Sequence, residues 1–321
     1  MRIDMRPKGN EEGPLSHLLA PELDTEVKRV LAERQFSSME ELNRVVGSVV
    51  ERYNRKPQGD LGGLSPVQVT RLIHSDWTSP DSAIRLNPNL TLEELNGDRL
   101  LVNARLFLTR ALEESGIKAT ATGNLTRNFE EGMLDRMALQ DGHAESVRAV
   151  NKVINEEDLF PLHVLRILLV QAGLVRRTKG AFRVTKKGTE LLAVEEAGEL
   201  YALLFFTKFR KFNLAYMSWG PEQGGVQETA AFALCQLSRA ASTWQNAEAL
   251  AEKLLLPTII ERLDPPDYPG RVLSLCESRI FAPLEEFGLL ERREIPGDNK
   301  WRRPYKLRRT GLFDRFVKFI V

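Results

Sequence analysis

The sequence predicts a mainly helical fold carrying two small β-hairpins, and three observations lead there. Apolar residues recur at helical spacing over most of the chain. Gly173 and Gly288 each close a helical pattern and lead into a short run, a polar turn and a second short run. Each of these hairpins ends at a threonine placed to cap a further helix, Thr185 and Thr310.

Bulk composition narrows the classes of protein. The chain has 321 residues, 42% hydrophobic and 28% charged, as expected of a globular protein with a substantial core. Its 45 Lys and Arg nearly cancel 44 Asp and Glu, for a net charge of +1. That balance excludes a global polycation and leaves a locally basic face open. Cys235 and Cys276 lie in apolar helical patterns and read as buried, reduced thiols; two isolated cysteines make no disulfide framework and no four-ligand zinc site. The start, MRIDMRPKGNEEGP, lacks the apolar core of a signal peptide. The apolar run Leu200–Phe206 is far shorter than the ~20 residues of a membrane span. The expectation is a cytoplasmic protein without membrane contact.

The elements follow in order. Residues 1–23 begin polar, with Gly and Pro, and are expected to be flexible. Residues 24–34 and 38–53 read as helices; Ser37 or Ser38 caps the second, whose stripe runs from Met39 and Leu42 to Val49 and Tyr53. Leu61-Gly62-Gly63-Leu64 turns the chain, and Ser65-Pro66 opens a third helix with Ser as cap and Pro at its first position. Residues 76–99 read as a linker with a short helix near Leu92–Leu95. Leu100–Glu114 is an amphipathic helix ended by Gly116, Ile117–Ala121 a small strand, and Asn124 the cap of a helix reaching Met137. Residues 140–158 read as a loop or irregular helix, and Leu162–Ala172 as an apolar helix. Leu174–Thr185 form the first hairpin, turning at Thr178-Lys179-Gly180, and a helix follows over Lys186–Glu196. A long apolar, aromatic helix spans 197–217. Helices follow at about 226–241 and 245–255, then a Pro-rich loop at 264–270. Val272–Phe287 is helical with a kink at Pro283. Leu289–Glu294 and Tyr305–Arg309 form the second hairpin, and Gly311–Ile320 the last helix.

The order helix, strand, helix, helix, hairpin is that of a winged helix, and it occurs twice. The expected organisation is a flexible start (1–23), a helical N-terminal region with linker (24–99), a first winged-helix-like module (100–196), an apolar bridging helix and turn (197–225) and a second module (226–321). The two are related by architecture rather than as a strict sequence repeat.

Two stretches resemble known sequences. Residues 53–67, YNRKPQGDLGGLSPV, are similar to a short element that follows the catalytic domain of some transposases of the retroviral-integrase type. Those enzymes carry metal-binding carboxylates on an upstream α/β domain. Here only 52 residues precede Tyr53, without strand patterns, so no catalytic residue is carried over. Residues 40–137, with LGGLSPVQVTRLI, RLNPNL and IKATATGNLTRNF, resemble a family of uncharacterised bacterial proteins in which the Thr-Ala-Thr-Gly-Asn-Leu segment precedes a winged-helix hairpin. That resemblance implies the fold and brings no activity with it.

A search for chemistry finds little. His17, His74, His143 and His163 show no metal spacing, and His163 reads as a satisfied structural histidine in an apolar helix. Ala121-Thr122-Gly123-Asn124 offers backbone donors at a helix start that could hold an anion, but it lacks the Gly-Lys-Ser/Thr of a phosphate loop and reads as a cap. No catalytic residue, metal ligand or cofactor is nominated. The basic hairpins are the constellation to weigh. Residues 174–188 hold Arg176, Arg177, Lys179, Arg183, Lys186 and Lys187 with no acid. Residues 291–309 hold eight cations against three carboxylates, with Lys300, Trp301, Arg302 and Arg303 near the tip. Such wings can follow a nucleic-acid backbone without reading sequence; equally, Lys and Arg keep exposed strand edges from pairing with other chains. Base reading needs polar residues on the helix before each wing, and Leu162–Ala172 offers only His163, Arg166 and Gln171. The readings open at this point are a non-enzymatic protein touching nucleic-acid backbone, a protein-interaction scaffold or homo-oligomer, and an enzyme of unrecognised type.

Overall fold

The computed structural model describes residues 20–217, 225–263, 270–296 and 304–321. A helical hairpin comes first, α1 (Ala20–Glu33) against α2 (Met39–Arg55), joined by an Arg52–Glu26 ion pair at 2.6 Å. Ser38 caps α2 by accepting the Glu41 N–H. At α3 (Pro66–Ile73), Ser65 and Gln68 form a reciprocal capping box. The preceding Leu61–Leu64 turn needs its glycine. Gly62 has φ +62°, and a Cβ there would stand 2.2 Å from Oε1 of Gln236, whose amide donates to Leu61 O at 3.0 Å.

The stretch expected as a linker is part of the core. Trp77, Ala83, Ile84, Leu90 and Leu95 are buried, residues 92–97 form turns rather than a helix, and β1 (Ile84–Leu86) is a strand. Next come α4 (Arg99–Glu113), β2 (Ile117–Lys118), α5 (Arg127–Leu134), α6 (His143–Val150) and α7 (Phe160–Gln171). The hairpin β3 (Val175–Thr178) and β4 (Ala181–Val184) leads into α8 (Lys186–Glu190), capped by Thr185 as expected but shorter than expected. Strand β2 pairs antiparallel with β4, giving a three-stranded sheet of order β2-β4-β3. Asn124 does not cap α5. Its N–H is given to Thr120 Oγ1 in a local turn, so the helix begins after Thr126, without a side-chain cap.

The expected helix over 197–217 is broken. Helix α9 (Ala197–Phe206) widens into a π-turn at Thr207–Lys211, and Leu214–Met217 is a 3-10 turn. The rings of α9 gather the rest of the chain. The Phe205 ring lies 6.2 Å from Trp77, 5.2 Å from Phe287 and 5.1 Å from Phe316, and the Tyr201 hydroxyl donates to Phe287 O at 2.7 Å. At its start α9 touches the 88–90 backbone. A Cβ on Gly198 would stand 2.0 Å from Pro88 O and 2.6 Å from Leu90 O. Gly198→Ala is therefore expected to lower stability by about 2–3 kcal/mol, because the obstruction is backbone and cannot rotate away; a thermal melt matching wild type would contradict that close approach.

The second half repeats the order. It runs α10 (Ala230–Ala240), β5 (Gln245–Asn246), α11 (Ala247–Leu254), α12 (Pro257–Leu263) and α13 (Arg271–Cys276). A π-turn at Glu277–Phe281 follows, then α14 (Ala282–Glu286), β6 (Leu290–Glu294), β7 (Tyr305–Arg309), α15 (Gly311–Phe316) and β8 (Val317–Phe319). Pro283 sits in the first turn of α14, where its missing N–H costs nothing, and the widened turn just before it absorbs the misfit. Strand β5 pairs with β7, so the second sheet has the order β5-β7-β6, matching the first. The last helix stops at Phe316. Val317–Phe319 turn extended and pair antiparallel with β1, Ile84 opposite Phe319. The fold is thus mainly α with small antiparallel sheets, and one contiguous apolar core runs through the described residues. Cys235 and Cys276 are buried and unpaired, and burial pushes their thiols up to about 11 and about 12. Among the described residues no helix is long and apolar enough to cross a membrane.

Candidate nucleic-acid interface

The first hairpin presents its cations to solvent. Arg176, Arg177, Lys179, Arg183, Lys186 and Lys187 are all exposed. Arg183 donates to Ser115 O, and Lys186 lies 3.6 Å from Glu190. No described carboxylate pairs with Arg176, Arg177, Lys179 or Lys187. Register places Arg176 directly opposite Arg183, and alternation along β2 and β4 puts Lys118 on the same face. Like charges directly opposite oppose folding.

The turn is equally costly. Lys179 has φ +48° and Gly180 φ +71°, the left-handed pair that two-residue hairpin turns require. Asparagine or glycine suits the first of these positions better than lysine. Beside the strands, the Arg177 guanidinium lies against Gly123; a Cβ there would meet its Nη1 at 2.4 Å. Lys118, which sequence reading missed, thus joins the face of Arg176 and Arg183, whereas Arg177, opposite Phe182 in the register, lies with the 120–124 loop on the other face. The alternation Ile117-Lys118 gave a signal for it; the approach of Arg177 to Gly123 has no local signal.

The second hairpin differs. Lys300, Trp301, Arg302 and Arg303 lie outside the described residues. Along the described strands the cations are largely matched. Arg292 holds Glu285 at 2.8 Å and Glu277 at 3.0 Å and stacks over Tyr305, Arg308 holds Glu291 at 2.7 Å, and Arg309 holds Asp314 at 2.6 Å. Arg293 and Arg308 also lie over the Trp244 ring. Glu277 and Glu285, from the helical segment before this hairpin, are thereby committed to Arg292.

The helix before the first hairpin is interior. Leu162–Leu165, Leu168 and Leu169 of α7 are buried, and two of its polar residues, His163 and Arg166, are already engaged, while the Gln171 side-chain oxygen is buried without a partner. His163 Nδ1 meets Glu156 at 2.7 Å, its Nε2 meets the Tyr216 hydroxyl at 2.8 Å, and Arg166 Nε donates to Glu156 at 2.6 Å. Burial pushes the Glu156 carboxyl up, but the hydrogen bonds from His163, the Leu125 N–H and Arg166 overcome it and hold it below its usual range. Its neighbour Glu130 is less well served: the Glu156 backbone N–H favours its charged form, but Oε2 has no partner. Burial, with the Glu156 charge, pushes Glu130 up to about 7. His163 is the satisfied structural histidine that its setting predicts. Among the described residues no three His, Cys, Asp or Glu side chains could together hold a metal ion.

Comparison with known proteins adds a relationship without an activity. A curated relative, the uncharacterised protein y4jL of Sinorhizobium fredii, is 28% identical over 121 residues, 36% of this chain and 55% of that protein. The aligned part thus spans about half the length of the relative. No solved structure matches. Residues 96–198, from the cap of α4 to the start of α9, match the family described as the Y4jL N-terminal domain, so this part of the chain is similar to uncharacterised bacterial proteins.

Proposed function

We propose that the protein binds nucleic-acid backbone, without catalysis of its own, through the first basic hairpin acting as the wing of a winged-helix-like module over 100–196. A second such module over 226–321, an N-terminal helical region over 24–99 and the 197–225 bridge complete the proposed organisation. The carrying observation is Lys179 at the left-handed turn position, flanked by unpaired Arg176 and Arg177. A residue held where its backbone is unfavourable, among cations that repel one another, points to a role other than stability. The strand order of the sheets supports the module reading, since the short strand after the first helix pairs with the last strand of each hairpin. The engagement of α7 in the interior argues for backbone contact rather than base reading. Two free thiols fit a reducing, cytoplasmic setting.

A salt series tests this by fluorescence anisotropy on several unrelated duplexes and on RNA. Replacing Arg176, Arg177 and Lys179 together by Ala should weaken binding equally on all sequences and lower the salt slope by about one for each phosphate no longer neutralised. Lys179→Asn should lower the slope by about one while raising stability, since Asn accepts the left-handed turn. A wild-type chain that does not bind at low salt overturns the proposal. Lys300, Arg302 and Arg303, with Trp301 beside them, enter as a second contact on sequence grounds, and their triple Ala variant is read in the same assay.

A protein-interaction role is the second reading. On α2, Leu42, Val45 and Val46 are only half-buried and Met39 is exposed, so the α1–α2 hairpin keeps an incompletely covered apolar stripe. A homo-oligomer in solution that dissociates on Val46→Glu would favour it.

A further inference from the structure

We propose that a cavity beside α7 binds a small monocarboxylate with an apolar body about the size of a benzene ring. The cavity encloses about 170 Å³ between α4, the 138–143 segment and the start of α7. Leu100, Leu139, Phe160, Val164 and Met217 supply apolar walls. An apolar cavity of ~150 Å³ suffices for benzene.

The polar lining distinguishes this space from a packing void. Nε2 of His143 is buried and has no hydrogen-bond partner in the protein. His143 is a lining residue of the cavity, so a ligand there can supply the missing partner once the ring turns toward it. Arg99 lines the same cavity, half-buried, with no described carboxylate paired to it. The Asn103 amide is committed at both ends to the Ala138 backbone, at 2.9 and 2.8 Å, and offers little to a ligand.

Charge selects the ligand class. Among the described lining residues Glu286 is the acid. It faces Lys208, whose side chain is fully buried and whose Nζ lies 3.9 Å from the Glu286 carboxylate. That ammonium otherwise meets the Met217 sulfur at 3.5 Å and the Phe212 ring at 4.9 Å. Burial draws the Lys208 pKa down and the Glu286 charge opposes it; with Lys208 protonated the two balance, and the positive charge of Arg99 is left over. A monoanion fits that remainder. Its carboxylate would accept from Arg99 and from His143 as the Nε2–H tautomer, and its body would lie on Leu139, Phe160 and Val164. The site stands apart from the basic hairpin and does not depend on the nucleic-acid reading.

Ligand-observed NMR on the full chain tests this with benzoate, benzamide and benzylamine. Benzoate should bind saturably with a Kd of about 1 mM or tighter, a modest affinity for so few atoms. Benzamide and benzylamine should each bind at least roughly tenfold more weakly, having lost the charge-assisted hydrogen bonds. Arg99→Gln should weaken benzoate roughly tenfold, and Leu139→Phe, which fills the cavity, should abolish saturation. Absence of saturable benzoate binding to wild type overturns the proposal. So does equal binding of benzamide, or benzoate binding that survives both substitutions. Should Leu139→Phe fail to fold, Arg99→Gln decides alone, since Arg99 is half-exposed and makes no described ion pair.

Discussion

Asp98→Asn should stabilise the protein by roughly 5 kcal/mol at pH 8 and by almost nothing near pH 4, the largest effect expected of a single conservative change. Asp98 is the N-cap of α4, and its Oδ1 accepts the N–H groups of Leu100 and Leu101. The residue is 1% exposed, and Oδ2 has no partner. Burial, opposed by the two backbone hydrogen bonds and aided by the Glu286 charge, pushes the carboxyl up from 3.8 to about 8. An acid raised on folding holds its proton in the native state after the unfolded chain has released it. Its contribution is therefore most favourable below the unfolded value and is lost as pH rises from about 4 to about 8. Each pH unit across that interval removes about 1.4 kcal/mol. Asparagine keeps the capping oxygen and carries no charge. Urea unfolding of both proteins across the interval should give stability curves that meet at low pH and diverge upward; parallel curves would show that Asp98 ionises freely in the folded state.

Phe205→Ala should cost about 3–5 kcal/mol and lower the melting temperature by on the order of 10 °C. The ring is fully buried and stands among Trp77, Phe209, Phe287 and Phe316, drawn from segments far apart in sequence. Its removal leaves a cavity that none of these rings can fill without leaving the others. Phe205→Asp should prevent folding, because an unpaired carboxylate would replace the ring at that junction. The ring's neighbours all lie within one chain, so the mass of Phe205→Ala in solution should match wild type. A melting temperature unchanged by Phe205→Ala would show that the rings repack without loss.

What the sequence made legible was local. Both hairpins, the closing glycines Gly173 and Gly288, and the caps Ser38, Ser65, Thr185 and Thr310 were readable because each signal lies within a few residues of its effect. The misses are tertiary. Ile84-Arg85-Leu86 looks like part of a polar linker until Val317–Phe319 arrive to pair with it. The 197–217 pattern reads as one helix because periodicity does not register the single-residue widening at Thr207–Lys211. Lys208 carries every mark of a surface residue in sequence and lies fully buried. For the candidate interface, the charges of Arg176, Arg177 and Lys179 were visible at once. Pairing decides which charges are available, and only the fold shows that the strands of the second hairpin are largely matched while Arg176, Arg177 and Lys179 of the first have no described carboxylate partner.

The β1–β8 pairing also sets a schedule for the newborn chain. Residues 84–86 leave the ribosome roughly 230 residues ahead of their partners at 317–319, an interval of about 10–50 s at ordinary elongation rates. Until then Ile84, which is fully buried in the finished fold, keeps an open strand edge beside the unfilled site of Phe316 and Phe319. The N-terminal half can form its helices and first hairpin in that time, yet it must wait with this seam unsealed. A nascent chain of this protein stalled before residue 317 should therefore offer the seam to holding chaperones, and completion of the last strand should release it.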